Sequence, residues 1–144
     1  MEAARRRMID QQVRASDVLD TRVLDTFAAV PREGFVPEAY RAVAFADAAI
    51  PIGHGQFMLT PVLEGRILQA LAPVRGERAL EIGTGSGYFA ACLAHLTGSV
   101  DSLEIHAELA ASAARALGDE GNARITVETA DALARDYEPA YEIV

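Results

Sequence analysis

Apolar residues recur at helical spacing over residues 3–15, and again from Val23 through Leu24 and Phe27 to Val30, so the chain opens with two predicted helices. Asp20 stands where a side chain can cap the second. Pro31 and Pro37 punctuate the stretch that follows, and residues 40–45 are short and apolar. The run Asp47-Ala48-Ala49-Ile50-Pro51-Ile52-Gly53-His54-Gly55-Gln56 is rich in Gly and Pro, which predicts an ordered loop without regular pairing. Thr60-Pro61 is a suitable N-cap and first-turn pair for a third helix reaching about Ala72. Beyond it the period changes. Short apolar runs at residues 78–82, 100–104 and 125–128 read as strands, and the segments at about 87–96 and 107–117 read as helices. Gly118 or Gly121 is the expected end of the second of these. Strands alternating with helices predict an α/β fold with a parallel sheet. Tyr141-Glu142-Ile143-Val144 reads as the opening of a fourth strand. A strand begun there exposes apolar surface and unpaired backbone groups, so the chain is expected to be part of a longer protein.

The densest chemistry lies in Ala79-Leu80-Glu81-Ile82-Gly83-Thr84-Gly85-Ser86-Gly87-Tyr88. This is a strand with an acid near its end, running into a glycine-rich turn and then a helix. Glycines at alternate positions admit positive φ and let backbone approach a ligand. A second acid, Glu104, ends the next strand. It lies roughly 20 positions past Gly83, the offset at which an acid meets ribose hydroxyls in a nucleotide-binding βαβ unit. Together they predict an enzyme that binds an adenosine-containing cofactor; a purely structural turn is the alternative. The spelling separates two cofactor classes. The dinucleotide fingerprint is G-x-G-x-x-G with its pyrophosphate on the helix N-terminus. Here the run is G-x-G-x-G, with Tyr88 at the third dinucleotide glycine. Glu81 precedes it, and a carboxylate there repels pyrophosphate but suits a cationic centre or an amino group. S-adenosylmethionine carries both and no phosphate.

Composition narrows this further. With 144 residues, 51% hydrophobic and 24% charged, the chain is long enough for one soluble domain with a real core. A net charge of −8 argues against a nucleic-acid-binding surface, which needs a basic face. Every basic side chain other than histidine is arginine, so lysine chemistry is excluded. One cysteine, Cys92, excludes an internal disulfide and a multi-cysteine metal site; no metal is expected. Cys92 lies in an apolar run and reads as a packing residue. Arg5-Arg6-Arg7 is followed by polar residues rather than an apolar signal core, and no run is long enough to span a membrane. The expectation is a cytoplasmic protein.

The pattern E-x-G-x-G-x-G resembles motif I of the Rossmann-like methyltransferases. Over nearly its whole length the chain is similar to the protein-L-isoaspartate O-methyltransferases, which methylate isoaspartyl carboxylates in aged proteins. The resemblance is carried by Met8-Ile9-Asp10-Gln11-Gln12-Val13-Arg14, Asp20-Thr21-Arg22-Val23-Leu24, Val30-Pro31-Arg32-Glu33-Gly34-Phe35-Val36-Pro37, Ala46-Asp47, Ile50-Pro51-Ile52-Gly53-His54-Gly55-Gln56 and Leu80–Tyr88, in that order. It implies a doubly wound parallel sheet of about seven strands, of which roughly the second half is absent here. It also implies an N-terminal helical extension over residues 1–60 that covers the active site, with residues 61–144 as the first half of the cofactor domain.

The resemblance assigns roles as well. Gly83, Gly85 and Gly87, with Glu81, Thr84 and Ser86, would wrap the methionine end of the cofactor. Glu104 would accept from both ribose hydroxyls, a charge-assisted contact, with Ile105 beside it. Asp131, with Ala132, would meet the adenine amino group. Two alternatives stay open: Asp131 as a helix cap and Glu104 as a surface residue. Gln56 belongs to the segment that closes over the methyl donor. In the family Gly-Gln is followed by Thr-Ile-Ser; here the run is Gly55-Gln56-Phe57-Met58-Leu59-Thr60-Pro61, so Leu59 replaces the serine and Thr60 is the nearest hydroxyl. Gln56 and Thr60 are therefore the catalytic candidates. A carboxylate acceptor is ionised near neutral pH, so no general base is needed, and His54, His95 and His106 read as structural, with His54 lying in the active-site loop. The partner implied is a protein or peptide carboxylate. Two alternatives follow from the apolar Phe57-Met58-Leu59 segment: a family member with another acceptor, or a cofactor-binding module without isoaspartyl activity.

Overall fold

A computed structural model describes residues 1–119, 123–137 and 140–144 of the chain. It forms two compact units, Met1–Ala72 and Pro73–Val144.

In the first unit, helix α1 (Glu2–Met8) continues through a wider π-type turn at Ile9–Val13 and a 3-10 turn at Arg14–Ser16. The expected single helix is thus one helical path of three pitches, stopped at Asp17 by a left-handed φ of 67°. Helix α2 (Thr21–Ala29) begins as predicted, with Asp20 accepting from Arg22 N at 2.9 Å. Replacing this N-cap, Asp20→Ala, is expected to lower unfolding stability by about 1 kcal/mol in a urea titration. No loss would mean that the orphan amide finds another partner. Gln69 fastens the approach to α2: its Oε1 accepts from Leu19 N at 2.8 Å and Asp20 N at 3.0 Å, and its Nε2 donates to the Asp17 carbonyl at 3.1 Å.

The Gly- and Pro-rich run is not the irregular loop expected. Strand β1 (Ile50–Gly53) pairs antiparallel with β2 (Gln56–Met58), and Ile50 opposes Met58. Gly53, His54 and Gly55 all take positive φ and supply the turn, while Ile50 and Met58 are buried and anchor the stems. Pro51 is tolerated because a two-stranded ribbon has only edge strands. Helix α3 (Pro61–Leu71) is capped by Thr60, whose Oγ1 accepts from Leu63 N at 3.3 Å. Its contacts run to α2 and to Ile9–Val13, so it belongs with the first unit and the division falls after Ala72, not after residue 60. Gly65 allows this packing, since a Cβ there would meet Phe27 and Val13 at 3.1 Å. Val13, Val18, Val23, Phe27 and Leu68 form the core.

In the second unit, β3 (Arg78–Ile82), β4 (Ser99–Glu104) and β5 (Ile125–Thr129) make a parallel sheet in that order. Helices α4 (Tyr88–Leu96) and α5 (Ala107–Asp119) form the crossovers. Right-handed connections advancing in one direction place both on the same face. Accordingly Ala79, Val100, Ser102 and Glu104, which share that face, are buried. Cys92 is buried within α4. Helix α5 runs through Gly118 to Asp119, so Gly118 does not end it; Gly121 lies outside the described residues. In place of a fourth strand there is one parallel bridge, Ala79 to Ile143, with Leu80 N donating to the Ile143 carbonyl at 2.9 Å. That bridge uses the edge of β3 opposite β4. The order Ile143–β3–β4–β5 therefore reverses direction at β3. Such a reversal in an α/β sheet opens a crevice at the carboxyl ends of the strands. Among the described residues no helix is long and apolar enough to cross a membrane.

Candidate functional site

The glycine run lies at that reversal. After Ile82 the chain turns at Gly83, whose amide donates back to the Leu103 carbonyl at 2.8 Å, and enters α4 at Gly87. Gly83, Gly85 and Gly87 have φ of 94°, 56° and 92°, a region that side-chain-bearing residues rarely occupy. The glycines differ in what surrounds them. A Cβ on Gly87 would press on Ala113 Cβ at 3.2 Å, so this glycine serves packing of α4 on α5. A Cβ on Gly83 would meet nothing within 4 Å, so its open face is room for a ligand against bare backbone.

Glu104 is not the surface residue of the alternative reading: it is 5% exposed. Its Oε1 accepts from Gly85 N at 2.9 Å and its Oε2 from His106 N at 3.0 Å. One carboxylate thus ties the glycine loop after β3 to the turn after β4. A carboxylate offers about four acceptor positions, so one on each oxygen remains for a ligand. The site also contains a relay that sequence reasoning missed. Ser102 Oγ donates to Glu81 Oε1 at 2.5 Å, and Thr84 Oγ1 lies 2.6 Å from Ser102 Oγ. Ser102 has one proton, committed to Glu81, so Thr84 donates in the second contact. Ser102 shares its strand face with Glu104, and period-2 reading of 100, 102 and 104 was the available signal. Ser86 Oγ accepts from Tyr88 N at 3.2 Å, closing the start of α4.

Asp131 follows β5, and its Oδ1 accepts from Leu133 N at 2.9 Å. The capping alternative is therefore what the structure shows for this oxygen, at the 3-10 turn Ala132–Ala134, while the residue itself is exposed. Apolar surface collects at the same sheet edge: Ile82 is 57%, Ile105 62% and Leu133 97% exposed. The strand-end segments 81–88, 104–108 and 131–134 carry four carboxylates and no arginine. That field favours a cationic or hydroxyl-bearing ligand over a phosphate.

Gln56 and Thr60 lie in the first unit. Gln56 is exposed at the start of β2, its Nε2 donating to the His54 carbonyl at 3.2 Å. Thr60 is engaged as the α3 cap, so its hydroxyl oxygen already accepts one bond. Phe57 and Leu59 are 58% and 42% exposed, and Met58 between them is buried. Among the described residues no group of His, Cys, Asp and Glu is arranged to hold a metal.

Comparison with known proteins agrees with this arrangement. The family profile described as Protein-L-isoaspartate(D-aspartate) O-methyltransferase (PCMT) matches residues 3–139. Protein-L-isoaspartate O-methyltransferase 2 of Anaeromyxobacter sp. (strain Fw109-5) is 44% identical over 130 residues, covering 90% of this chain and 54% of that protein. The protein-L-isoaspartate O-methyltransferase of Aeropyrum pernix is 47% identical over 110 residues, or 74% of this chain and 42% of that one. A solved protein-L-isoaspartate O-methyltransferase superposes with a TM-score of 0.76 at 22% identity over 88% of this chain and 42% of its own. A Plasmodium falciparum structure described as a beta-aspartate methyltransferase (PCMT), in complex with S-adenosyl-L-homocysteine, superposes at 0.74 with 18% identity over 90% of this chain and 64% of its own. At such identities the structures speak for the fold, a Rossmann-like α/β sheet. The chain spans about half the length of the curated relatives first matched. The profile runs through both units, from the N-terminal helices to the acid after β5, and on that breadth the chain belongs to the protein-L-isoaspartate (D-aspartate) O-methyltransferase family.

Proposed function

We propose that this chain holds S-adenosylmethionine at the carboxyl edge of its parallel sheet and serves methyl transfer to the L-isoaspartyl carboxylates of damaged proteins. The observation that carries the reading is Glu104, a buried carboxylate whose two oxygens are each half-used, by Gly85 N and His106 N. The residual acceptors match a ribose diol, as a charge-assisted pair. The fit extends along the edge. Open space over Gly83 admits a ligand against backbone, and Glu81 supplies an acid where an α-amino group would stand. Ile105 and Leu133 offer apolar surface to a base, and Asp131 keeps an exposed carboxylate beside them for an exocyclic amine.

When bound, the cofactor supplies a methyl group already activated on a sulfonium. What remains for the protein is orientation. The acceptor carboxylate is ionised near neutral pH, with a pKa near 4, so the chain need not remove a proton. Holding two reactants in line and excluding water contributes roughly 7–11 kcal/mol at its upper range. Gln56 and Thr60 are the residues proposed to face the acceptor. The acceptor is a protein or peptide, and the acidic surface argues against nucleic acid.

Two measurements on the full-length protein test this. Calorimetric titration should show S-adenosylhomocysteine binding, and an isoaspartyl peptide should be methylated while its aspartyl counterpart is not. Binding without transfer to the isoaspartyl peptide would retain the cofactor site and reject the acceptor. Absence of binding would reject the whole reading.

A further inference from the structure

Arg32 is fully buried, and three of its bonds point in three directions. Its Nη1 donates to Glu64 Oε1 on α3 at 2.5 Å, its Nε to the Ala44 carbonyl at 2.8 Å, and its Nη2 to the Leu59 carbonyl at 2.9 Å. Ala44 precedes β1 and Leu59 follows β2, so one guanidinium fastens both stems of the hairpin to the same helix. A second tie closes the ring. Thr60 caps α3, and Glu64 N donates to the Thr60 carbonyl at 3.0 Å, one turn from the carboxylate that holds Arg32. Between these anchors lie Gln56 and the exposed Phe57 and Leu59. Beside the buried Ile50 and Met58, the hairpin itself is slight: two short strands, a register shift between Pro51 and Gly53, and a turn of three left-handed residues. An isolated two-stranded ribbon is marginal in water, so its placement depends on its anchors.

We infer that Arg32 is a positioning residue for the Gln56–Thr60 segment, with Glu64 as the acceptor that orients its fork. The catalytic consequence rests on the proposed methyl transfer; the structural consequence does not. A planar guanidinium spans the three acceptors at once, whereas an ammonium on a flexible stem cannot. Lysine therefore keeps the charge beside Glu64 and loses the hairpin.

The test uses the full-length protein with Arg32→Lys, read by turnover on an isoaspartyl peptide, S-adenosylhomocysteine titration and amide hydrogen exchange. We expect kcat to fall by about 100-fold, the cost of a misplaced reacting group, while the S-adenosylhomocysteine Kd stays within about threefold. Amides of residues 56–60 should exchange at least about tenfold faster, with α1 and α2 unchanged. If kcat and exchange at 56–60 both stay near wild type, or if exchange rises evenly over residues 1–72, Arg32 has no positioning role. Should Arg32→Lys fail to fold, Glu64→Ala is read in the same way. That variant removes the acceptor that orients the fork, so an unchanged kcat and unchanged exchange at residues 56–60 in it overturn the inference. If the unsubstituted protein binds S-adenosylhomocysteine but methylates no isoaspartyl peptide, the functional reading fails and the exchange pattern alone decides the role of Arg32.

Discussion

Glu104→Ala is expected to weaken S-adenosylhomocysteine binding by about 100-fold or more, because two separate losses fall on one residue. The first is direct. Hydrogen bonds to a charged acceptor are worth about 1.5–3 kcal/mol each, and a ribose diol would lose two. The second is organisational. Gly85 N and His106 N both donate to this carboxylate, so its removal leaves the glycine loop and the turn after β4 without their common tie. Glu104→Gln separates the parts. It keeps the volume and one acceptor oxygen, but its amide nitrogen faces a backbone N–H that also donates. At least about tenfold weakening is expected there, since one neutral acceptor replaces a charged pair. The measurement is calorimetry, with thermal unfolding of each variant as the folding control. An alanine variant that folds and binds within threefold of wild type would remove Glu104 from the cofactor site.

The strand, glycine turn and helix of the candidate cofactor site were legible because their signals are local. A strand, an acid, alternating glycines and a helix follow one another in Ala79–Tyr88, and the strand over residues 78–82 falls where predicted. The N-caps Asp20 and Thr60 were legible for the same reason, since each acts within three residues of itself. The hairpin was not. Glycine and proline between residues 50 and 56 read as irregular, and only the burial of Ile50 and Met58 distinguishes stems from loop. Ser102 was missed because period-2 reading places it on the face of Glu104 but does not name its partners, Glu81 and Thr84, which lie across the sheet and in the glycine turn. Asp131 was read for two alternative roles, and the structure displays the cap. The pairing of Arg32 with Glu64 joins residues 32 positions apart through a folded core. No periodicity or motif spacing reports such a pair, although each residue stood in plain view.

That pair sets the second large effect, a dependence of stability on pH. Glu64 is nearly fully buried, and burial pushes its carboxyl up to about 7 from 4.5, with the adjacent Arg32 guanidinium opposing the rise. The charged groups on the elements packed against α3 are Asp10 on the turn Ile9–Val13 and Arg22 and Asp25 on α2. The electrostatic partner acting on Glu64 is Arg32. The sign follows from proton binding. Between pH 4.5 and 7 the folded state retains a proton on Glu64 that the unfolded chain has released, so stability falls as pH rises through this window. The contribution is complete below the unfolded value and lost above the folded one. At 1.36 kcal/mol per pKa unit, the loss is about 3 kcal/mol. Glu64→Gln cannot titrate, so the difference in unfolding free energy between wild type and this variant isolates the effect from every other carboxylate. We expect wild-type stability, measured by urea titration relative to Glu64→Gln, to decline by about 3 kcal/mol from pH 4.5 to pH 8. A difference that stays flat would mean that Arg32 holds Glu64 ionised across the range. A difference that grows with pH would mean that the ion pair outweighs the cost of burying its charges, the less common outcome for a pair shut away from water.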